Sequence, residues 1–157
     1  MTPLEIRLAT PADIPAIQEL FLEYARSVGN DICFQTFQKE VDSLPGQYAR
    51  PNGALIIAVA PDQLAACVAL RQLSPTACEM KRLYVRPAFR GQGLGRDLTH
   101  HILVHASALG YRTLLLDTLP EMTAAIALYR TLGFLPIPRY GDNPPTALCF
   151  EKLLKSI

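Results

Sequence analysis

The chain has 157 residues, of which 50% are hydrophobic and only 18% are charged. A chain of this length can bury a substantial core, and this composition is too apolar for a disordered segment. The net charge of +1 disfavours a nucleic-acid binder, which usually carries a clear basic excess. We find no internal repeat or linker, so we expect a single domain over residues 1–157.

The first half of the chain predicts one strand, two helices and then three antiparallel strands. Apolar alternation indicates a strand over residues 4–9. Thr10-Pro11-Ala12-Asp13 resembles a capped helix start, and Gly29 is the expected stop of that helix. A weaker helix is expected over residues 34–44. Three strands are then expected over residues 53–60, 64–73 and 76–86. In the last of these, strict alternation places Arg82 and Tyr84 on one face and Lys81 and Leu83 on the other.

The second half predicts a helix, a strand, a second helix and two final strands. The first helix runs from Leu94 to Gly110, and Pro120 is expected to open the second, which Gly133 ends. The strands are expected over residues 112–117, 134–138 and 146–153. This order indicates a mixed α/β (α+β) fold, with about seven strands and about four helices, rather than a doubly wound parallel sheet.

The N-terminus, the cysteines and the histidines indicate the cellular compartment and whether a metal site is expected. The N-terminus lacks the pattern of a signal peptide, no apolar run is long enough to cross a membrane, and the four cysteines form no C-x-x-C pair. We therefore expect a cytoplasmic protein with reduced, buried thiols. His101 and His105 are spaced i, i+4 but lack a third ligand, so we expect no metal site.

The most informative segment is a glycine-rich turn between a strand that ends at Val85 and the helix that follows. The turn holds glycines at alternate positions, Gly91, Gly93 and Gly95. Such a turn lets backbone N–H groups approach an anion at a helix N-terminus. Three arginines add positive charge at the same point, namely Arg86, Arg90 and Arg96. The alternative is a tight turn with solubilising arginines; the spacing fits neither a Rossmann nor a Walker motif.

Arg90, Gly93 and Gly95 match the signature Gln/Arg-x-x-Gly-x-Gly/Ala, and in this respect the chain resembles the GNAT family of N-acetyltransferases. A second similarity is the aromatic-containing segment over residues 127–134. The resemblance implies a GNAT-like mixed, mostly antiparallel sheet with two strands splayed at the cofactor site. It also implies an enzyme that moves an acetyl group from acetyl-CoA to a primary amine, by direct attack in a ternary complex.

The resemblance implies which residues contact acetyl-CoA. Backbone N–H groups of the turn would bind the pyrophosphate, and the end of the preceding strand would pair with the pantetheine arm. Many family members carry an asparagine after the next strand; this chain has none there, and Thr118 is the expected partial replacement. The expected cofactor-binding residues are Leu83, Tyr84, Val85, Arg90, Gly91, Gln92, Gly93, Leu94, Gly95, Arg96 and Thr118.

Two residues are expected to act in catalysis by resemblance. Tyr129 would protonate the departing thiolate, and its alternative role is that of a core aromatic. Glu79 would act as the general base through water. An ordinary glutamate is a weak base near neutral pH, so this role requires burial or a relay. Its alternative role is an ion pair with Lys81.

The acceptor is expected to be a small molecule or a peptide, without nucleic acid or membrane, bound by a monomer or a homodimer. Tyr140 and Asn143, in the loop between the last two strands, are candidate substrate-binding residues, and so is Phe34. The loop residues alternatively form a turn, and Phe34 alternatively belongs to the core. Two functional alternatives remain: a non-catalytic acyl-CoA-binding regulatory module on the same fold, and an interaction protein without CoA.

Overall fold

The computed structural model of the chain describes residues 4–29 and 34–154, and its elements follow the predicted order. The strands are β1 (Glu5–Leu8), β2 (Ala54–Val59), β3 (Leu64–Gln72), β4 (Ala77–Val85), β5 (Thr113–Thr118), β6 (Leu135–Ile137) and β7 (Leu148–Leu153). The α-helices are α1 (Ile14–Val28), α2 (Phe34–Asp42), α3 (Leu94–Ala108) and α4 (Thr123–Thr131). The described residues thus confirm the predicted mixed fold of seven strands and four α-helices.

The strands form one sheet in the order β1-β2-β3-β4-β5-β7-β6. All neighbours in it run antiparallel except β4 and β5, which are parallel. The parallel pairing is short: it begins at Ala77 and Thr113 and ends at Glu79 and Leu115. Beyond that point the two strands continue without pairing to each other. The expected splay between these strands is therefore present, and it opens a gap in the middle of the sheet.

Helices cover both faces of the sheet, and each face has its own hydrophobic cluster. On one face, Leu98 and Ile102 of α3 are buried with Met80 and Leu114 from the central strands. On the other face, α1 and α2 pack against β2 and β3. The fully buried large side chains of this second cluster are Ile17, Leu20, Phe21, Tyr48 and Ile57. The gap between β4 and β5 thus lies between two packed layers.

The prediction that side chains alternate strictly along β4 is wrong, because the strand contains a β-bulge. Cys67 of β3 pairs with Tyr84, whereas Ala69 pairs with Lys81. A step of two residues in β3 thus faces a step of three in β4, which means that β4 carries one extra residue. Arg82, within this step, has a φ of 60°, in the left-handed region. The bulge therefore shifts the side-chain alternation by one residue.

The bulge redistributes the side chains of β4 between the two faces. Leu83 and Val85 pack against the α3 cluster, and Tyr84 belongs to the α1 cluster. The guanidinium of Arg82 lies over the ring of Phe37 in α2, on the α1 face. Lys81 is the register partner of Ala69, whose side chain lies on that same face. Two adjacent cationic side chains thus occupy one face.

A second difference concerns Pro120, which does not open a helix. Helix α4 begins at Thr123, and the Met122 N–H donates a hydrogen bond of 2.9 Å to the carbonyl oxygen of Leu119. Pro120 is therefore the second residue of a four-residue turn, a position that its fixed φ also favours. No helix of residues 4–29 and 34–154 combines the length and the apolarity that a membrane span requires.

We expect Gly53→Ala to lower the free energy of unfolding by about 1–3 kcal/mol. A Cβ at Gly53 would lie 2.7 Å from the carbonyl oxygen of Leu70 and 2.7 Å from the carbonyl carbon of Tyr48, both of them backbone atoms. Urea denaturation measures the effect. Asn52→Ala is the matched control, because its side chain is exposed, and we expect a change within about 0.5 kcal/mol. Equal midpoints for the two variants would contradict the close packing at Gly53.

Candidate functional site

A cavity of about 650 Å³ lies where β4 and β5 part. Its walls are the ends of these two strands, the N-terminus of α3, helix α4 and part of α1. Gln92 is the one residue expected at the cofactor that does not line it. The residues that do line it from that set are Leu83, Tyr84, Val85, Arg90, Gly91, Gly93, Leu94, Gly95, Arg96 and Thr118. The cavity therefore brings the glycine-rich turn and the strand end together.

The glycine-rich turn leaves open space at the N-terminus of α3. Gly91 and Gly93 have φ values of 81° and 80°, and a Cβ at either position would meet no atom within 4 Å. The Asp97 N–H donates 3.0 Å to the carbonyl oxygen of Gly93, at the start of α3. The N–H groups of residues 94–96 therefore have no intrahelical acceptor. This turn fits an anion such as a diphosphate, which the helix dipole also favours.

Three arginines were expected at the turn, but only two of them lie there. Arg90 and Arg96 line the cavity, and the Arg90 Nε donates 2.9 Å to the carbonyl oxygen of Val85. Arg86 instead points toward α1, where its Nη2 donates 2.9 Å to the Glu23 carboxylate. Arg86 is the first residue after β4, and the bulge upstream has already set the face to which its side chain turns. Its charge is therefore paired away from the turn.

The unpaired part of β4 offers backbone groups to the cavity. Since pairing with β5 ends at Glu79, the peptide groups of residues 80–85 that point toward β5 have no strand partner there. An extended ligand can use them in the way that an added strand does. On the opposite side, Thr118 is buried and its hydroxyl donates 3.3 Å to the Met122 Sδ. Thr118 thus stands at the wall where the resemblance expects an asparagine.

Tyr129 lies in α4, lines the cavity and also belongs to the core. Tyr129 is only 5% exposed, and its ring centroid lies 5.7 Å from that of Phe134 and 6.4 Å from that of Phe150. Burial raises the pKa of the Tyr129 hydroxyl well above its usual range. The hydroxyl therefore keeps its proton at neutral and mildly alkaline pH, as a proton donor must.

Glu79 is completely buried and does not line the cavity. The Arg71 Nε donates 2.6 Å to its Oε1, and the Tyr140 hydroxyl donates to its Oε2. Lys81, the ion-pair partner expected from the sequence, is more distant, with its Nζ 3.8 Å from Oε1. Both carboxylate oxygens thus have protein partners. A role of Glu79 as general base stays a prediction, and it requires a path for the proton from the cavity.

Of the three candidate substrate-binding residues, Tyr140 and Asn143 make their contacts within their own loop and with Glu79. Burial, and the nearby Glu79 carboxylate, raise the pKa of Tyr140, which stays protonated as a donor to that carboxylate. The Asn143 Nδ2 donates 2.8 Å to the carbonyl oxygen of Tyr140, which closes the loop on itself. Neither residue lines the cavity. Phe34 begins α2, and its side chain lies outside the part of the chain that the structure describes.

The sequence analysis missed an ion pair that crosses the gap. The Lys81 Nζ of β4 lies 3.3 Å from the Asp117 Oδ1 of β5, and both residues line the cavity. These side chains are 13% and 19% exposed, so the pair is largely shielded from water. The sequence shows Lys81 and Asp117 as ordinary strand residues. Only the parallel register, which sets β4 beside β5, places them opposite each other.

Arg82 is a second cavity residue that the sequence analysis did not single out. Its Nε and Nη2 donate 2.8 and 3.0 Å to the Glu40 carboxylate of α2. The guanidinium carbon lies 5.6 Å from the ring centroid of Tyr24 and 5.0 Å from that of Phe37. Tyr24 also lines the cavity. A doublet of basic residues near a strand end is the only sequence signal, and it does not reveal the bulge.

The described part of the chain contains no obvious set of metal ligands. No group of three or more His, Cys, Asp or Glu residues there is arranged to hold a metal ion. His101 and His105 lie on α3, and burial lowers the pKa of His105.

Comparison with protein families and sequences gives consistent matches. The model of the Acetyltransferase (GNAT) family matches residues 14–134. An uncharacterized N-acetyltransferase of Schizosaccharomyces pombe is 34% identical over 98% of this chain and 97% of its own length. The alanine N-acetyltransferase of ribosomal protein bS18 from Salmonella typhimurium is 35% identical, over 56% of this chain and 59% of its own.

Solved structures share the fold. An acetyltransferase from Streptococcus agalactiae superposes with a TM-score of 0.82 at 21% identity, covering 96% of this chain and 98% of that one. The ribosomal L7/L12 alpha-N-protein acetyltransferase, solved in complex with coenzyme A, gives a TM-score of 0.73 at 16% identity and covers 98% and 96%.

We expect Gly93→Ala to weaken binding of acetyl-CoA by about 10-fold or more, because its Cβ fills the open space at the N-terminus of α3. Isothermal titration calorimetry measures the effect. Gly141→Ala is the matched control: its φ of 58° is also left-handed and its Cβ would also meet no atom within 4 Å, but it does not line the cavity. Equal losses of affinity in the two variants would contradict the assignment of this turn.

Proposed function

The chain belongs to the GNAT family of acetyltransferases, and on that premise we propose that it transfers the acetyl group of acetyl-CoA to a primary amine. The observation that supports this most is the meeting, in one cavity, of the open glycine turn at α3 with the unpaired edge of β4. The turn suits the diphosphate of the cofactor, and the strand edge suits its extended pantetheine arm.

In the proposed reaction, both substrates bind together and the amine attacks the thioester directly. The ammonium first loses one proton, its nitrogen then bonds to the carbonyl carbon, and that nitrogen loses a second proton as the amide forms. The carbon–sulfur bond breaks, the thiolate takes up a proton, and the products are an N-acetyl amide, free CoA and one proton. A backbone N–H near Val85 is suited to polarise the thioester carbonyl. Catalysis then depends mainly on holding the two substrates in position.

We assign Tyr129 as the proton donor to the thiolate. It lines the cavity, and its raised pKa keeps it protonated at the pH of the reaction. The group proposed to accept the proton of the amine, Glu79, has no direct contact with the cavity. Glu79 can act only through a relay, and its neighbour that lines the cavity is Lys81, whose Nζ lies 3.8 Å from the Glu79 Oε1.

The acceptor class includes small molecules and peptides. One relative's name describes acetylation of an alanine on a ribosomal protein. That relative matches little more than half of this chain, so its acceptor does not transfer directly. A cytoplasmic location also remains our proposal, consistent with Cys67, Cys78 and Cys149, which are free and buried.

A non-catalytic acyl-CoA-binding module is the second candidate. It is favoured by one observation, namely that the Glu79 carboxylate is buried and already bound by Arg71 and Tyr140. Calorimetry with acetyl-CoA, followed by a screen of amines for release of free CoA, separates the two candidates. Turnover on any amine supports the enzyme. Tight binding without turnover supports the module, and absence of binding overturns both.

We expect Tyr129→Phe to reduce kcat by about 10- to 100-fold while leaving the affinity for acetyl-CoA unchanged, because the variant removes one proton donor and keeps the ring. Steady-state kinetics of CoA release measure the effect. Tyr111→Phe is the control, since Tyr111 is also buried but its hydroxyl donates to the backbone of Asn52, away from the cavity. An unchanged kcat in Tyr129→Phe would remove this residue from the mechanism.

A further inference from the structure

The face of the gap that is turned toward α1 carries an unusual set of charges. Lys81 and Arg82 are adjacent in sequence, and the bulge in β4 places both on this face. Asp117 stands opposite them on β5, with its Oδ1 3.3 Å from the Lys81 Nζ. All three residues line the cavity. An acceptor that approaches a thioester in the gap from this side therefore meets two cations and one carboxylate.

Arg82 is paired with Glu40 of α2 and also lines the cavity. Its Nε and Nη2 are used by Glu40, and the Nη1 lies outside that pair. Tyr24, beneath the guanidinium, lines the same cavity. The ammonium of Lys81, beside these groups, suits a carboxylate. Asp117 suits an ammonium group, so the face presents complementary sites for both charges of one small molecule.

We propose that the acceptor is a zwitterion of the α-amino-acid type, with its ammonium on Asp117 and its carboxylate on Lys81. This inference rests on the proposed acetyl transfer. Such a molecule lies beside the Lys81–Asp117 pair in the opposite orientation, with its ammonium against the Asp117 carboxylate and its carboxylate against the Lys81 ammonium. It thereby adds two ion pairs without breaking the existing one. Because the two side chains are only 13% and 19% exposed, the added pairs form in a partly dehydrated place, where charge complementarity counts most.

The same geometry disfavours acceptors that carry only positive charge. A polyamine would set an unbalanced cation beside Lys81 and Arg82, and an unpaired charge in a shielded site is costly. The N-terminus of a peptide has its carboxylate replaced by an amide, so it would leave the cations without a new partner. A free amino acid satisfies both signs. The proposal therefore selects one class among the amines that the fold can accept.

The first experiment compares each of the twenty amino acids with its amide and with its decarboxylated amine, as acceptors for the unaltered protein with acetyl-CoA. We expect kcat/KM for the best amino acid to exceed that of its amide and of its amine by about 30-fold or more. Equal or greater values for the amides would overturn the proposal. Those same values would leave the acetyltransferase assignment intact, because the amides would then be the substrates.

The second experiment tests the two charges separately. Lys81→Met should raise KM for the amino acid by about 10-fold more than it raises KM for the amide, because both acceptors lose the cavity wall that the Lys81–Asp117 pair holds and the amino acid also loses the partner of its carboxylate. Asp117→Asn should lower the rate on both, because both carry the ammonium. Lys39→Met is the matched control, since Lys39 is exposed on α2 and does not line the cavity. An equal effect of Lys81→Met on both acceptors would overturn the role of its charge.

Direct binding keeps the proposal testable if turnover is absent. The protein is saturated with CoA and titrated with the amino-acid panel by calorimetry. Absence of any binding up to about 10 mM, ten times the upper end of common KM values, would overturn the proposal. Failure of the protein to bind acetyl-CoA at all would instead overturn the proposed function on which it rests. The two failures are thus distinguished by whether the titration with amino acids or the titration with acetyl-CoA shows no binding.

Discussion

The extra residue in β4 is the constraint on which the site depends. With Ala69 opposite Lys81 and Cys67 opposite Tyr84, the strand carries one extra residue, and Arg82 within this step has a φ of 60°. The bulge follows directly on the point where β4 ceases to pair with β5. It decides which side chains face α3 and which face α1. The apolar end of β4 thereby turns toward one side of the cavity, and its cations turn toward the other.

Three ion pairs then fix the elements around that face. Arg71 binds Glu79 between β3 and β4, Arg82 binds Glu40 between β4 and α2, and Lys81 binds Asp117 between β4 and β5. Every cation on this surface meets a carboxylate from another element. Removing one partner of a buried pair leaves the other charge uncompensated, at a cost of about 3–5 kcal/mol. The pairs thus hold the walls of the cavity in one arrangement.

The sequence predicted the order of the elements because helix stops and turns are local signals. Gly29, Gly110 and Gly133 all end helices as expected, and each has a positive φ. The glycine turn and Tyr129 were likewise recognised from motifs, and both line the cavity. The face of each charged side chain could not be predicted, because it depends on a one-residue register shift between β3 and β4. The pair of Lys81 and Asp117 was missed because it also depends on the parallel register of β4 and β5. Arg86 was assigned to the turn, whereas its side chain is directed to Glu23 of α1.

The short parallel seam has a thermodynamic consequence. Only three residue pairs, from Ala77–Thr113 to Glu79–Leu115, join the two halves of the sheet by backbone pairing. Under the proposed function, the extended arm of acetyl-CoA would use the β4 backbone groups that pairing with β5 leaves free, so the bound ligand would extend the seam. Stability and occupancy are therefore linked, and the protein becomes harder to unfold as the concentration of free ligand rises. In the proposed function, the ligand would thus act as the strand that the sheet lacks at its centre.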